Sequence, residues 1–297
     1  MFKGSITALI TPLKNGKVDE KAFQDLIEWQ INQGSHGFVP CGTTGESPTL
    51  THEEHERVID LCIEAANGKV PVIAGTGSNS TDEAISLTKF SKGAGADAAL
   101  VVTPYYNKPT QEGLYHHFKA INDSCDLPII IYNIPGRSVV DINIETMKKL
   151  AKLKNIIGVK DSSNDLTRPL LTTETIGKNF CQISGEDATV VPFLSQGGHG
   201  CISVTANVAP KICSDLHNAW QKGNFKKVQS LNSFLFPLHN VLFLETSPGP
   251  VKYAASLLKI CSEELRLPLV KVAPNTKKEI KSILTKLKIK PIKKNKC

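Results

Sequence analysis

Residues 98–160, AALVVTPYYNKPTQEGLYHHFKAINDSCDLPIIIYNIPGRSVVDINIETMKKLAKLKNIIGVK, decide the fold. Three short β-rich apolar runs stand in this stretch, at 98–103 (AALVVT), 128–132 (PIIIY) and 156–160 (IIGVK). The segments between them, 110–123 and 143–153, have the length and polarity of helices of two to four turns. Strands joined by helical crossovers run parallel, because the crossover returns the chain to start the next strand in the same direction. The unit repeats on both sides: further strands are predicted at 5–10, 37–41, 71–75, 181–185 and 200–205, and helices at 19–33, 51–67, 80–93, 165–177 and 187–196. Thr51 followed by Glu54 is a capping-box pattern, and Gly34 and Gly68 stand where helices should stop. Eight strands in this arrangement predict an α/β fold, a (β/α)₈ TIM barrel, with a doubly wound open sheet as the alternative. From 209 the pattern turns helical (209–221, 224–244, 248–259, 275–287). The expected division is a barrel over 1–208 that bears the catalytic site and a C-terminal helical extension over 209–297 that ends in a basic tail.

At 297 residues and 40% hydrophobic, the chain is long enough for one large core. Its formal charge of +7 is concentrated at one end. Residues 277–297 hold nine of the 35 basic and one of the 28 acidic residues, so the remainder has 26 basic against 27 acidic. A nearly neutral body with a lysine-rich end reads as a solvated helix face or a frayed end, with neither nucleic acid nor membrane as partner. The eight cysteines are scattered, with no C-x-x-C, and read as reduced thiols. With no signal-peptide pattern and no long apolar run, the expected location is the cytoplasm.

Barrel chemistry sits at the C-terminal ends of strands. Those ends present Thr43-Thr44-Gly45-Glu46, Gly75-Thr76-Gly77, Pro104-Tyr105-Tyr106, Tyr132, Lys160 and Ser184-Gly185. By alternation, Lys160 shares a face with Gly158 and Ile156. If that face is internal, burial favours the neutral amine that can attack a carbonyl. The competing reading is a structural lysine paired with Asp161 or another acid. Tyr132 ends the preceding strand, about 4.8 Å away in a parallel sheet, close enough for its phenol to move protons at an imine, with Thr43 passing them on. Filling the barrel is its plainer role. Arg137, in the loop YNIPGR, has the fork to hold a carboxylate, or is a surface arginine. Gly75-Thr76-Gly77 lacks the lysine and spacing of a phosphate loop. His52 and His55 lack the companions of a convincing metal site.

Several ordered segments closely resemble the dihydrodipicolinate synthase family: GTTGES at 42–47, VIAGTGSNST at 72–81, VTPYYNKPTQEGLYHHF at 102–118, YNIPGR at 132–137, IIGVKDSS at 156–163, SGED at 184–187, GGHGCISVTANV at 197–208 and PVKYA at 250–254. The resemblance spans nearly the whole chain. It implies condensation of pyruvate with L-aspartate 4-semialdehyde in the diaminopimelate and lysine pathway, without metal or organic cofactor. It also implies roles: Lys160 as the Schiff-base lysine, and Tyr132, Thr43 and Tyr106 as a proton relay, with Tyr106 reaching into a neighbouring subunit. Thr44 would bind the pyruvate carboxylate and Arg137 that of the semialdehyde. Gly185 and Ile202 would line the pyruvate pocket through backbone groups. Ser47, His52, His55, Asn79, Glu83 and Tyr105 match a site where L-lysine inhibits many family members, and a homotetramer built from two tight dimers is implied. Pro48 replaces the small residue often found at its position, and the basic tail is longer than is usual for the family.

Two rivals remain open on sequence. Another pyruvate-dependent aldolase, for N-acetylneuraminate or a keto-deoxy sugar acid, would share the barrel and the lysine; Arg137 and the pair Thr43-Thr44 favour the synthase. A barrel that only senses pyruvate or lysine would have no need of the proton-relay set.

Overall fold

The computed structural model describes residues 1–292. Eight parallel strands form the barrel: β1 (Gly4–Ala8), β2 (Gly37–Val39), β3 (Ile73–Gly75), β4 (Ala98–Val102), β5 (Ile129–Asn133), β6 (Ile156–Asp161), β7 (Cys181–Ser184) and β8 (Gly200–Ser203). β1 pairs with β8, placing Ile6 beside Ile202, and a parallel bridge between Phe38 and Val72 joins β2 to β3, so the sheet closes into a ring. The open-sheet alternative is thereby excluded.

Seven helices return the chain between strands: α1 (Glu20–Asn32), α2 (His52–Ala66), α3 (Thr81–Ala94), α4 (Gln111–Ser124), α5 (Ile144–Leu150), α6 (Arg168–Ile176) and α7 (Val190–Ser195). The Thr51 hydroxyl accepts from the Glu54 N–H while the Glu54 carboxylate accepts from the Thr51 N–H, the reciprocal cap foreseen from sequence. After β8 come α8 (Pro210–Gln221), α9 (Phe225–Val241), α10 (Gly249–Leu257) and α11 (Pro274–Lys286). α8 lies against β1 as well as α9, as the eighth helix of a barrel does. Barrel and extension share one apolar core, in which Phe23, Ile59, Leu216, Leu238, Val251 and Ile280 are buried together.

Strand alternation sorts side chains between two compartments. Ile6, Val39, Ile73, Leu100, Ile130, Ile183 and Ile202 fill the barrel interior. Ala99, Val101, Ile129, Ile131 and Val159 face the helices. β6 breaks the rule once: Ile129 pairs with Ile156 but Ile130 with Gly158, so one extra residue bulges from β6. Ile156 therefore turns to the helix layer and does not share the face of Lys160, contrary to simple alternation. Gly158 and Lys160 stay in register with the inward-facing Cys181 and Ile183.

Much of the lysine-rich segment is the outer face of α11, whose Ile280 and Leu284 are buried while Lys278 and Lys281 face solvent. The end of the expected basic tail, residues 293–297, lies outside the described residues.

Candidate active site

β5 and β6 place Tyr132 directly opposite Lys160. Both are about 6% exposed, and the Lys160 Nζ lies 3.9 Å from the centroid of the Tyr132 ring. Among the described residues no carboxylate lies within ion-pair distance of Lys160. Asp161, the partner offered by the structural reading, is engaged elsewhere: it receives the Arg168 Nε at 3.1 Å and the Ser163 N–H at 2.8 Å. Lys252 makes the comparison instructive. It too is buried, yet its Nζ is 2.6 Å from the equally buried Glu46 carboxylate. A buried lysine that only stabilises is expected to have such a partner, and among the described residues Lys160 has none.

The walls around Lys160 are set by close approach. The Gly185 N–H donates to the Asp161 carbonyl at 2.7 Å, drawing the chain beyond β7 against β6. A Cβ at Gly185 would fall 3.0 Å from the Lys160 Cε and 1.8 Å from the Ser162 Oγ, so no larger residue fits. Ile202 is fully buried in the interior cluster that also holds Tyr132.

Thr43 and Thr44 stand beyond β2 on a 3₁₀ turn, Thr43–Gly45, with Thr44 buried and Thr43 half-buried. The Thr11 hydroxyl donates to the Gly45 carbonyl at 2.7 Å. Glu46 then adopts a left-handed backbone and receives both Lys252 and, at 3.2 Å, the Arg266 N–H. Sequence reasoning missed this Glu46–Lys252 anchor; its signal was present only as two charged residues inside family-like segments.

Arg137 sits on a one-turn helix, Pro135–Ser138, and not in the irregular loop read from sequence. Ser138 fixes that turn by receiving the Thr103 hydroxyl at 3.0 Å and donating to the Ile134 carbonyl at 2.9 Å. The Arg137 guanidinium is exposed and makes no ion pair among the described residues. A further acid missed by sequence reasoning is the half-buried Glu186. Burial and then Asp187 push its carboxyl above the usual range, while Lys160 and Arg137 pull it the other way.

Tyr106 is not brought to Lys160 within this chain. It is 90% exposed, with a left-handed backbone (φ 70°). Among the described residues no hydrogen bond joins Tyr132 to Thr43 or Tyr106.

The six residues matched to a lysine site do gather. Ser47, His52, His55, Glu83 and Tyr105 line one cavity of about 150 Å³, and the Asn79 amide donates to the Tyr105 carbonyl at 3.2 Å. His52 Nε2 is 2.5 Å from the Glu83 carboxylate. Hydrogen bonds from Ser78 and then His52 hold the Glu83 carboxyl below its ordinary range, so it is ionised at neutral pH. Burial lowers the His55 imidazole, whose Nε2 lies 2.7 Å from the Gly75 carbonyl. No three His, Cys, Asp or Glu side chains cluster as a metal site among the described residues.

Residues 1–287 match the model of the dihydrodipicolinate synthetase family. The chain is 65% identical, over 96% of its length and 98% of the relative's, to the 4-hydroxy-tetrahydrodipicolinate synthase of Rhodospirillum centenum. Among solved structures it resembles the chloride-inhibited dihydrodipicolinate synthase of Acinetobacter baumannii complexed with pyruvate (TM-score 0.95, 45% identity, 97% and 100% of the two chains). It also resembles the dihydrodipicolinate synthase of Cyanidioschyzon merolae with lysine bound (TM-score 0.94, 36% identity, 97% and 99%).

Proposed function

The chain belongs to the dihydrodipicolinate synthetase family, and from that membership we infer that Lys160 is the residue that holds pyruvate as a Schiff base. The enzyme is a lyase of diaminopimelate and lysine biosynthesis, condensing pyruvate with L-aspartate 4-semialdehyde to 4-hydroxy-tetrahydrodipicolinate and water. The observation that carries the assignment of Lys160 is its burial beside Tyr132 without a carboxylate partner.

The Lys160 Nζ adds to the pyruvate ketone, whose oxygen departs as water. Loss of a methyl proton gives the enamine, and its carbon attacks the semialdehyde carbonyl. The amine of the second substrate then displaces Lys160 and closes the ring. Tyr132, Thr43 and a neighbouring subunit's copy of Tyr106 move the protons, the last reading being supported by the exposure of Tyr106 in the single chain. Thr44 binds the pyruvate carboxylate, and the backbone at Gly185 and Ile202 lines its pocket. A homotetramer of two tight dimers and a cytoplasmic location complete the proposal. No helix among the described residues is long and apolar enough to cross a membrane.

Arg137 receives the carboxylate of the semialdehyde. Arg137→Ala is expected to raise KM for the semialdehyde by about 10- to 100-fold, the loss of one charge-assisted pair, while KM for pyruvate changes little. Steady-state kinetics with each substrate varied in turn checks this. Faster turnover of N-acetylneuraminate or a keto-deoxy sugar acid than of the semialdehyde would instead favour the sugar-acid reading.

L-lysine binds the cavity beside Ser47, with its ammonium near the ionised Glu83. Saturating lysine is expected to inhibit the enzyme, and Glu83→Ala to weaken inhibition at least about tenfold with kcat retained. An unchanged rate at saturating lysine rejects this assignment.

A further inference from the structure

Ser162 follows Lys160 by two residues, on the mouth side of the barrel. It is 7% exposed, its backbone N–H is committed to the Asn133 carbonyl at 2.9 Å, and its buried Oγ has no hydrogen-bond partner among the described residues. The adjacent Ser163, by contrast, directs its hydroxyl to Asp161 at 2.5 Å. The Ser162 Oγ and the Lys160 Cε both lie within 3.0 Å of the point where a Cβ on Gly185 would stand. Hydroxyl, lysine stem and glycine backbone are thus packed against one another, which sets the Ser162 Oγ beside the Lys160 side chain. An unpartnered buried hydroxyl is costly, and one kept beside the reacting lysine is free to bond a substrate oxygen.

We propose that Ser162 is a further active-site residue whose hydroxyl donates to the ketone oxygen of pyruvate as Lys160 adds to it. The inference rests on the Schiff-base role of Lys160. As the Nζ lone pair bonds to the ketone carbon, the C=O π pair moves onto the oxygen, where the Ser162 O–H stabilises the growing charge. That oxygen takes a proton from the nitrogen to give the carbinolamine. The Tyr132 phenol then gives this hydroxyl a second proton, the C–O bond breaks with its pair, water leaves, and the nitrogen lone pair completes the protonated imine; the methyl proton lost on forming the enamine restores the phenol. Ser162 lends a hydrogen bond and is left unchanged. Tyr132 stands beside Lys160 on β5, whereas the Ser162 Oγ lies against Gly185, which follows β7.

Ser162→Ala separates this role from a packing role. The measurements are thermal stability, the single-turnover rate at which pyruvate alone is trapped by borohydride, and kcat/KM for each substrate. The expected result is a melting temperature equal to or above that of the wild type, because an unpartnered hydroxyl is removed, with trapping and kcat/KM for pyruvate at least about tenfold lower. Trapping within twofold of the wild type would overturn the proposal, as would a defect confined to KM for the semialdehyde. Failure of the wild type to form any Lys160 adduct would remove the Schiff-base reading itself, a different result from a normal adduct rate in the variant.

Discussion

Lys160→Ala is expected to reduce the condensation rate by at least about 10⁴-fold while leaving the protein folded. The amine is the covalent attachment point for pyruvate, so its removal deletes a reaction route and not merely a contact. The fold should survive because, among the described residues, no carboxylate pairs with Lys160 and would be stranded by its truncation. The cost is limited to the packing of its stem against Tyr132 and Gly185. Activity measured alongside thermal melting checks the combination. A variant with a tenth or more of the normal rate would mean that another group carries the pyruvate.

Lys252→Ala is expected to have the opposite signature, a large loss of stability. Its ammonium is 2.6 Å from Glu46, and both side chains are almost wholly buried. Removing the lysine strands a carboxylate whose remaining donor is the Arg266 N–H at 3.2 Å. Unpairing a buried charge costs about 3–5 kcal/mol, which for a chain of this size lowers the melting temperature by roughly 10 °C. The pair also ties α10 to the turn carrying Thr43 and Thr44, so activity should fall as well. Replacing both partners, Glu46→Gln with Lys252→Met, should recover much of the stability because neither charge is then left alone. Thermal unfolding of the single and double variants checks this. A Lys252→Ala protein that melts within 2 °C of the wild type would be inconsistent with a buried, mutually dependent pair.

The contrast between these two lysines marks the limit of what the sequence makes legible. The barrel was readable because its signals are local: runs such as PIIIY and IIGVK alternate with helix-length segments, and Thr51 with Glu54 caps a helix within four residues. The facing of Tyr132 and Lys160 followed from strand order and from the alternation of side chains at the two strand ends. The bulge at Ile156 was not readable, since both isoleucines there suit either face of a strand. The hairpin of Leu13–Lys14 with Lys17–Val18 was overlooked, although Asn15-Gly16 with positive φ at both residues is a two-residue turn signal.

Side-chain partnerships across long separations were the least accessible. Glu46 and Lys252 lie 206 residues apart, and Arg168 takes Asp161 away from the role of counter-ion to Lys160. Either lysine could have been the structural one from sequence pattern alone; the distinction required knowing which carboxylates were already engaged. The orphaned Ser162 hydroxyl was invisible for the same reason, because a missing hydrogen bond is a property of the packed site.

The most direct test of the central claim is borohydride reduction of the wild-type enzyme in the presence of pyruvate, with the modified residue mapped by peptide mass spectrometry. The expected result is a single pyruvate-derived adduct on Lys160, with the other lysines unmodified. A folded protein that yields no adduct, or one that yields it on Lys252 or a surface lysine, would contradict the assignment.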